Sequence, residues 1–420
     1  MFFPKNKKIP HTVSSGCKVT VMAKKPYDIR MLFPKYYQSL SDVTVMSGGV
    51  LRIKKGGIAN NITVMPSGFL QVMSSGIANN VMIMSCGRFL VENYGQAKEI
   101  TIISGCNPTI LPGGIIKETT VVLDGIVAVC GSGGKVSNTT VMSGSFTVWK
   151  AGKVKNTMVL SGAKHHVLSG GLSYDAKIMS GGSLLVYNGG TATYPVISGG
   201  CVEVLSGSFV RDAVISSDGT LTVSSGGSSV DTAVLSSGTL VVSKGGKIQG
   251  TTVSSNGALS VCYGGSATDT IISNDGIATF YGKGCGTTIL PDGRLLIKSG
   301  GALSSTTISS GGTLTISRGG SAFGTRVLSG GCLFSWSGGR ACCTSVSSGG
   351  HLVLLKGAQL ICTDDANAPI KRNVKKDEQD TLPPLPFDEE KYKQEKFWGC
   401  TIPFIIFVVF VLIGCLKKCS

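Results

Sequence analysis

Two pairs of acidic residues have the spacing that comes nearest to catalytic chemistry in this sequence. Glu99 and Glu118 lie nineteen residues apart, and so do Asp212 and Asp231. In a chain that repeats with this period, each pair would stack about 5 Å apart on neighbouring turns, where two carboxylates can bind a cation or act as acid and base. The acids are few and fall mostly in predicted turns, so solvated turn residues explain the pairs more simply. We therefore expect no catalytic residue.

The other motifs of enzyme chemistry are absent or incomplete. His165 and His166 are adjacent, but no HExxH motif, no His/Cys cluster and no CxxC pair occurs in the sequence. The Gly-rich stretch before Lys135 lacks the first glycine of a phosphate-binding loop, and there is no G-x-S-x-G nucleophile motif. The sequence therefore predicts neither a metal nor a cofactor.

Two cysteines and two asparagines are candidates for covalent modification. Cys343 and Cys362 fall at the same place in successive repeats, so their stacked Cα atoms would lie within disulfide range. The alternative is a pair of small apolar residues in a ladder. Asn61 and Asn138 each begin an N-x-Thr triplet that matches an N-glycosylation acceptor, although such triplets also arise by chance in turns rich in Asn and Thr.

The residues above would be positioned by a long internal repeat. A β-branched residue shortly before a Ser-Gly or related turn recurs every 17 to 20 residues, most often every nineteen, which gives seventeen units. A period near 20 over most of a chain predicts a solenoid. The units start at Val45, Val64, Ile83, Ile102, Val121, Val141, Val159, Ile178, Val196, Val214, Val234, Val253, Ile272, Ile289, Ile308, Val327 and Val346.

Each unit reads as two short strands joined by turns, and no segment has a helical period. Leu51 and Ile53 alternate with polar residues in the first strand, and Ile62 and Val64 do so in the second, so these four predict an inward face. Gly pairs mark the turns because glycine reaches positive φ at little steric cost. Asn and Asp tolerate positive φ next best, and they recur in the second turn, as at Asn61. The fold predicted is an all-β parallel β-solenoid (β-helix) of about 17 coils.

The unit V-x-S-G-G-x-L-x-V-x-x-G-G-x-A-x-x-T resembles the AIDA-type repeat of bacterial autotransporter adhesin passengers. Clean copies run over 45–63, 234–252 and 308–326, and the resemblance spans about 45–363. It implies a surface-exposed β-helical stalk that mediates adhesion and self-association, in several members after a dedicated transferase glycosylates Ser or Thr. We expect this chain to lack two parts of that family, the cleavable signal peptide and the β-barrel translocator.

The segments on either side of the repeats differ from them in composition. Residues 1–44 form a basic segment that holds a partial first repeat, and 364–396 read as a charged, disordered spacer. Residues 397–416 contain no charge and are long enough for a transmembrane helix, with 417–420 as a short basic tail. A buried apolar segment of a globular domain is the alternative. Cys415 and Cys419 flank the basic pair and would be S-acylated if they face the cytosol, with unmodified thiols as the alternative.

The charge and the tail together suggest the functional class. The formal net charge of +16 favours polyanions such as surface glycans, while aromatic residues do not follow the lysines at the fixed spacing that base stacking needs, so we expect no nucleic acid. We expect a non-enzymatic, single-pass membrane protein whose adhesin-like rod lies outside the cell and contacts glycans or other copies of itself. The alternatives are a polysaccharide-acting β-helix enzyme and a tail-anchored scaffold that faces the cytosol.

Overall fold

The computed structural model describes residues 39–363, with gaps at 74, 92–93, 104–108, 111–112, 123–125, 130–133 and 150, together with short strands at 12–13, 18–21, 36–37 and 370–372. These residues form 48 strands and no helix. In the first half of the chain the strands are β1 (Thr12–Val13), β2 (Lys18–Val21), β3 (Tyr36–Tyr37), β4 (Ser39–Val45), β5 (Val50–Ile53), β6 (Ile58–Val64), β7 (Phe69–Val72), β8 (Ile77–Ile83), β9 (Arg88–Val91), β10 (Gln96–Ile102), β11 (Thr109–Ile110), β12 (Ile115–Val121), β13 (Ile126–Val129), β14 (Lys135–Val141), β15 (Gly144–Val148), β16 (Lys153–Val159), β17 (Ala163–Val167), β18 (Leu172–Tyr174), β19 (Lys177–Ile178), β20 (Ser183–Val186), β21 (Thr191–Thr193), β22 (Val196–Ser198), β23 (Cys201–Val204) and β24 (Phe209–Arg211). In the second half they are β25 (Val214–Ser216), β26 (Thr220–Val223), β27 (Ser228–Val230), β28 (Ala233–Val234), β29 (Thr239–Val242), β30 (Lys247–Gln249), β31 (Thr252–Val253), β32 (Ala258–Val261), β33 (Ser266–Thr268), β34 (Ile271–Ile272), β35 (Ile277–Phe280), β36 (Lys283–Cys285), β37 (Thr288–Ile289), β38 (Arg294–Ile297), β39 (Ala302–Ser304), β40 (Thr307–Ile308), β41 (Thr313–Ile316), β42 (Ser321–Phe323), β43 (Arg326–Val327), β44 (Cys332–Ser335), β45 (Arg340–Val346), β46 (His351–Leu354), β47 (Gln359–Thr363) and β48 (Ile370–Arg372).

All the strand pairings are parallel, and strands at the same place in successive coils pair with one another, which makes the described chain a parallel β-solenoid. One sheet, called here the short-strand sheet, contains β5, β7 and their equivalents, and Leu51 pairs with Leu70. The other, called the corner sheet, contains β6, β8 and their equivalents, and Ile62 pairs with Val81. The array has about 16 turns, against about 17 predicted, with a spacing of about 19 residues, so the all-β parallel β-solenoid is confirmed, while the C-terminal transmembrane helix stays a prediction.

The interior of each coil is filled by the residues that alternation predicts. Leu51, Ile53 and Val64 are 0% exposed, and Ile62 is equally enclosed, while Thr63 points outward between its two buried neighbours. Equivalent residues of successive coils stack into continuous apolar columns along the axis. Because each side chain packs against the same position of the coils above and below, one buried face repeated at a fixed period is sufficient to build the core.

Glycine is required where a coil passes closely over the one before it. A Cβ atom on Gly257 would lie 2.3 Å from the carbonyl oxygen of Val234 in the preceding coil, which is closer than any side-chain carbon can approach. Gly56 shows the second use of glycine, since its φ of 71° is the left-handed conformation that turns the chain between β5 and β6.

Two of the predicted unit starts are wrong by one residue. Ile197 and Ile215 are buried, whereas Val196 and Val214 point outward. The register pairs Ile178 with Ile197 and then Ile197 with Ile215. Both places carry two consecutive β-branched residues, so residue type did not distinguish them, and a shift of one residue along a strand exchanges its two faces.

The ends of the chain are described only in part. Strands β1 and β2 pair in parallel with β4 and β5, and β48, which lies within 364–396, pairs with β46. The predicted transmembrane helix at 397–416 and the tail at 417–420 lie outside the described residues, as do Cys415 and Cys419. Within the part that is described, no helix has the length and apolar character needed to cross a membrane.

Candidate functional site

A column of left-handed residues, called here the corner ladder, runs along the corner sheet. One residue per coil takes a φ between 50° and 68° and bends the strand at its middle. Its N–H donates to the next coil, as that of Asp212 does to the carbonyl of Val230 at 2.9 Å. The ladder consists of Asp42, Asn61, Asn80, Glu99, Glu118, Asn138, Asn156, Asp175, Tyr194, Asp212, Asp231, Gly250, Asp269, Gly286, Ser305, Gly324 and Cys343. The prediction that Asn and Asp occupy positive-φ positions in this turn is confirmed.

Side-chain amides link successive steps of the corner ladder. The Nδ2 of Asn61 donates to Oδ1 of Asp42 at 2.9 Å, and the Nδ2 of Asn80 donates to Oδ1 of Asn61 at the same distance. Farther along, the Nδ2 of Asn156 donates to Oδ1 of Asn138 at 3.0 Å. The structure thus places both predicted glycosylation acceptors, Asn61 and Asn138, on the exposed corner with amides already engaged by neighbouring coils. Their glycosylation stays a prediction.

The stacked carboxylates are engaged by lysine. Glu99 and Glu118 occupy successive steps of the corner ladder, as their spacing predicted, and the Lys98 ammonium lies between them. Lys98 Nζ is 3.1 Å from Oε1 of Glu99 and 3.6 Å from Oε2 of Glu118. The hydrogen bond to Glu99, with the charge of Glu118, raises the pKa of Lys98 above its usual range. Lys155 forms a similar pair with Asp175 at 3.6 Å.

The cysteine pair lies at the last described step of the corner ladder. Cys342 pairs with Ile361 and Thr344 with Thr363, so the register sets Cys343 directly opposite Cys362. The side chain of Cys362 lies outside what the structure describes, and the disulfide stays a prediction. When the protein has been secreted to an oxidising compartment, mass analysis of unreduced peptides should find Cys343 linked to Cys362. Two alkylated free thiols would contradict the disulfide.

A buried polar network inside the solenoid was not predicted from the sequence. His165 stacks between Phe146 and Leu184 in a column of large apolar residues. Its Nδ1–H donates to the carbonyl oxygen of Phe146 at 3.1 Å, which leaves Nε2 to accept from the hydroxyl of Ser173 at 3.0 Å. The signal was available, because His165 falls where the adjacent coils carry Phe and Leu, and Ser173 falls where they carry Val and Ala.

Burial keeps both histidines neutral. The pKa of His165 falls to about 4 because the charged form would be desolvated, an effect that the carbonyl of Phe146 only partly offsets. The pKa of His166 falls to about 3, again chiefly through burial. The Nδ1 of His166 lies 3.3 Å from the hydroxyl of Tyr187, whose own pKa burial raises. With His165 and Ser173 both closed to solvent, the network orders the core and does not present a reactive surface.

No cluster of three or more His, Cys, Asp or Glu side chains with the geometry of a metal site occurs among the residues that the structure describes.

Comparison with solved structures found several chains of similar structure, among them a fragment of TibA. No family model and no curated protein matches this chain. The crystal structure of a TibC-catalysed, hyper-glycosylated fragment of TibA (residues 55–350) is 29% identical in sequence and covers 77% of this chain and 99% of that fragment, with a TM-score of 0.41. Because the two backbones superpose this poorly, the assignment of a parallel β-solenoid rests on the strand register described above.

Proposed function

We propose that this protein is a non-enzymatic, adhesin-like stalk that is anchored in a membrane and displays a rigid β-solenoid for multivalent contact with cells or surfaces. The observation that carries the proposal is the unbroken parallel register of about 16 turns. At about 4.8 Å per turn the array is a rod of roughly 80 Å, long enough to hold a binding surface away from a membrane.

The outward face suits many weak contacts better than one strong site. Hydroxyl-bearing residues repeat at the same outward position of neighbouring coils, as Thr44 pairs with Thr63 and Thr120 with Thr140. Equal contacts at a fixed spacing raise the effective concentration of each neighbour, so that the total avidity can exceed any single affinity by about 10² to 10⁴.

The proposal includes a membrane anchor and the side of the membrane on which the rod lies. The uncharged segment 397–416 would cross the membrane, and the rod would lie outside with Lys417 and Lys418 inside. The charged segment 364–396 would separate the rod from the bilayer. The AIDA-like repeat favours this orientation over a rod in the cytosol.

Protease treatment of intact cells tests the display. Trypsin added outside should cut the Lys-rich spacer and release a rod fragment into the medium, because the spacer is predicted to be extended while the described coils are hydrogen-bonded to one another. Cells broken before treatment serve as the control for cleavage. A chain that stays full length until the cells are lysed would contradict an external rod.

A further inference from the structure

Four lysines cluster on the outward face of three successive strands of the corner sheet. They are Lys117 on β12, Lys135 on β14, and Lys153 and Lys155 on β16, and all four are exposed. Lys135 pairs directly with Lys153 across neighbouring strands. With about 4.8 Å between strands and about 6.6 Å between alternate residues of one strand, the four ammonium groups share a small, nearly flat area, called here the lysine patch.

The positive charge of the lysine patch is only partly compensated. Lys155 reaches Asp175, but within the described chain no carboxylate lies within 4 Å of Lys117, Lys135 or Lys153. Glu118, the acid nearest in sequence, is already engaged by Lys98.

The corner ladder is neutral where the lysines are densest. Its steps on β14 and β16 are Asn138 and Asn156, which bond to each other, although Glu and Asp occupy the steps on either side. Like charges placed directly opposite in a ladder destabilise a sheet. The arrangement therefore suits an external polyanion better than it suits the isolated rod.

The same face elsewhere lacks this arrangement. Lys247 and Lys283 occupy the same outward column as Lys135, but each is flanked in the register by uncharged residues. Strands β6 and β8, which have the same length and position as β14 and β16, carry no charged residue at all. The lysine patch is thus a local feature of coils within 115–159.

We propose that the lysine patch binds a linear acidic polysaccharide, through its sulfate or carboxylate groups. The proposal rests on the adhesin-like function above and names a ligand class for it. Ser137 lies between Lys117 and Lys155 in the register. Thr120 and Thr140 face outward just beyond the corner ladder, so hydroxyls for the uncharged part of a sugar chain lie within and beside the patch. The three strands carry no aromatic residue, and Tyr174 beside Lys155 is a single aromatic at the edge of the patch, so the patch lacks the series of aromatic side chains on which successive nucleic-acid bases stack.

Binding of the full-length chain to heparin and to hyaluronan tests this site and separates sulfate from carboxylate recognition. The test variant is Lys135→Gln/Lys153→Gln, and the matched control is Lys247→Gln/Lys283→Gln, which removes the same charge from the same column. Each patch lysine near a polyanionic surface contributes about a fivefold gain in affinity, so the test variant should weaken the Kd for at least one polysaccharide by about tenfold or more at low salt. The control should change the Kd by less than about twofold.

A variant that keeps the charge and two competing ligands complete the experiment. Lys135→Arg/Lys153→Arg keeps the charge and should retain binding even if the Gln variant is poorly folded. Equal losses in the test and control variants, or no binding of either polysaccharide by the unaltered chain, would overturn the site. Tighter binding of single-stranded DNA or of phosphatidylserine vesicles than of either polysaccharide would overturn the ligand class. Release of the rod from intact cells is measured without any polysaccharide, so failure of the lysine patch and failure of the display can be told apart.

Discussion

Replacement of Thr251 by valine should stabilise the solenoid, although the substitution removes a hydroxyl group. A threonine occupies the equivalent position in nearly every coil of the second half. The residue after each step of the corner ladder points inward, and Thr251 is 0% exposed there with no hydrogen-bond partner for its hydroxyl among the described residues. An unsatisfied buried hydroxyl costs about 1 to 3 kcal/mol, whereas valine fills the same volume without that cost. The first coils already carry Val or Ile at this position, as Ile62 does.

The preceding coil provides a control substitution whose expected effect on stability is the opposite. Thr232 occupies the same position, but its hydroxyl lies 2.8 Å from that of buried Ser229. In the coil of Thr251 the residue equivalent to Ser229 is Ile248, which explains why the hydroxyl there has no partner. Thr232→Val would orphan the Ser229 hydroxyl and should destabilise the coil by about 1 to 2 kcal/mol, while Thr251→Val should stabilise it by about 1 kcal/mol.

Hydrogen exchange measures the effect locally, which matters because repeat arrays do not unfold as a single unit. The amide of Thr252 donates to the carbonyl of Thr232, and that of Ile271 donates to the carbonyl of Thr251. A change of about 1 kcal/mol alters exchange about fivefold, so the amide of Ile271 should exchange about fivefold more slowly in Thr251→Val. Faster exchange in both variants would refute the assignment of Thr251 as an unsatisfied residue.

Two other predictions concern the core and the turns. The pKa of His165 falls to about 4 in the folded chain, below the unfolded value of about 6.5, so the unfolded state binds more protons between these values and stability should fall, by up to roughly 3 kcal/mol, as the pH drops from 6.5 to 4. His166, whose pKa falls to about 3, adds a loss of similar size. His165→Leu with Ser173→Ala, which copies the Leu/Ala pair of the next coil, should therefore remove about half of the total loss measured by denaturation at pH 7 and pH 5, and an unchanged pH slope would count against it. Gly257→Ala should destabilise by several kcal/mol because its Cβ would meet a backbone carbonyl, whereas Gly162→Ala, with open space but a φ of 77°, should cost about 1 kcal/mol. Denaturation midpoints that rank the two substitutions in the reverse order would contradict this account.

The features that repeat were predictable from the sequence. Leu51 and Ile53 alternate with polar neighbours in coil after coil, and Asn61 recurs as a residue that tolerates positive φ, so period and residue type together identified the inward faces and the turns. The lysine patch could also have been found in this way, since Lys135 and Lys153 fall at equivalent places in successive units.

Features that depend on the cross-section of a coil were not predictable. His165 and Ser173 meet across the interior because the chain turns between them, and alternation within one strand does not show which residues face each other. The predicted unit starts fell on Val196 and Val214, one residue before the buried Ile197 and Ile215, because both residues of each pair are β-branched. In both cases the deciding information is the register between coils.

The dependence of adhesion on the number of coils tests the central claim most directly. Deletion of residues 234–307 would join Ala233 to Ile308 and remove four complete coils without changing the register, because Ile308 and Val234 occupy the same inward column. If function lies in multivalent display, cells that carry the shortened rod should adhere at least about tenfold more weakly than cells that carry the full rod at equal surface amounts. Undiminished adhesion after the deletion would show that the array of coils is not what binds.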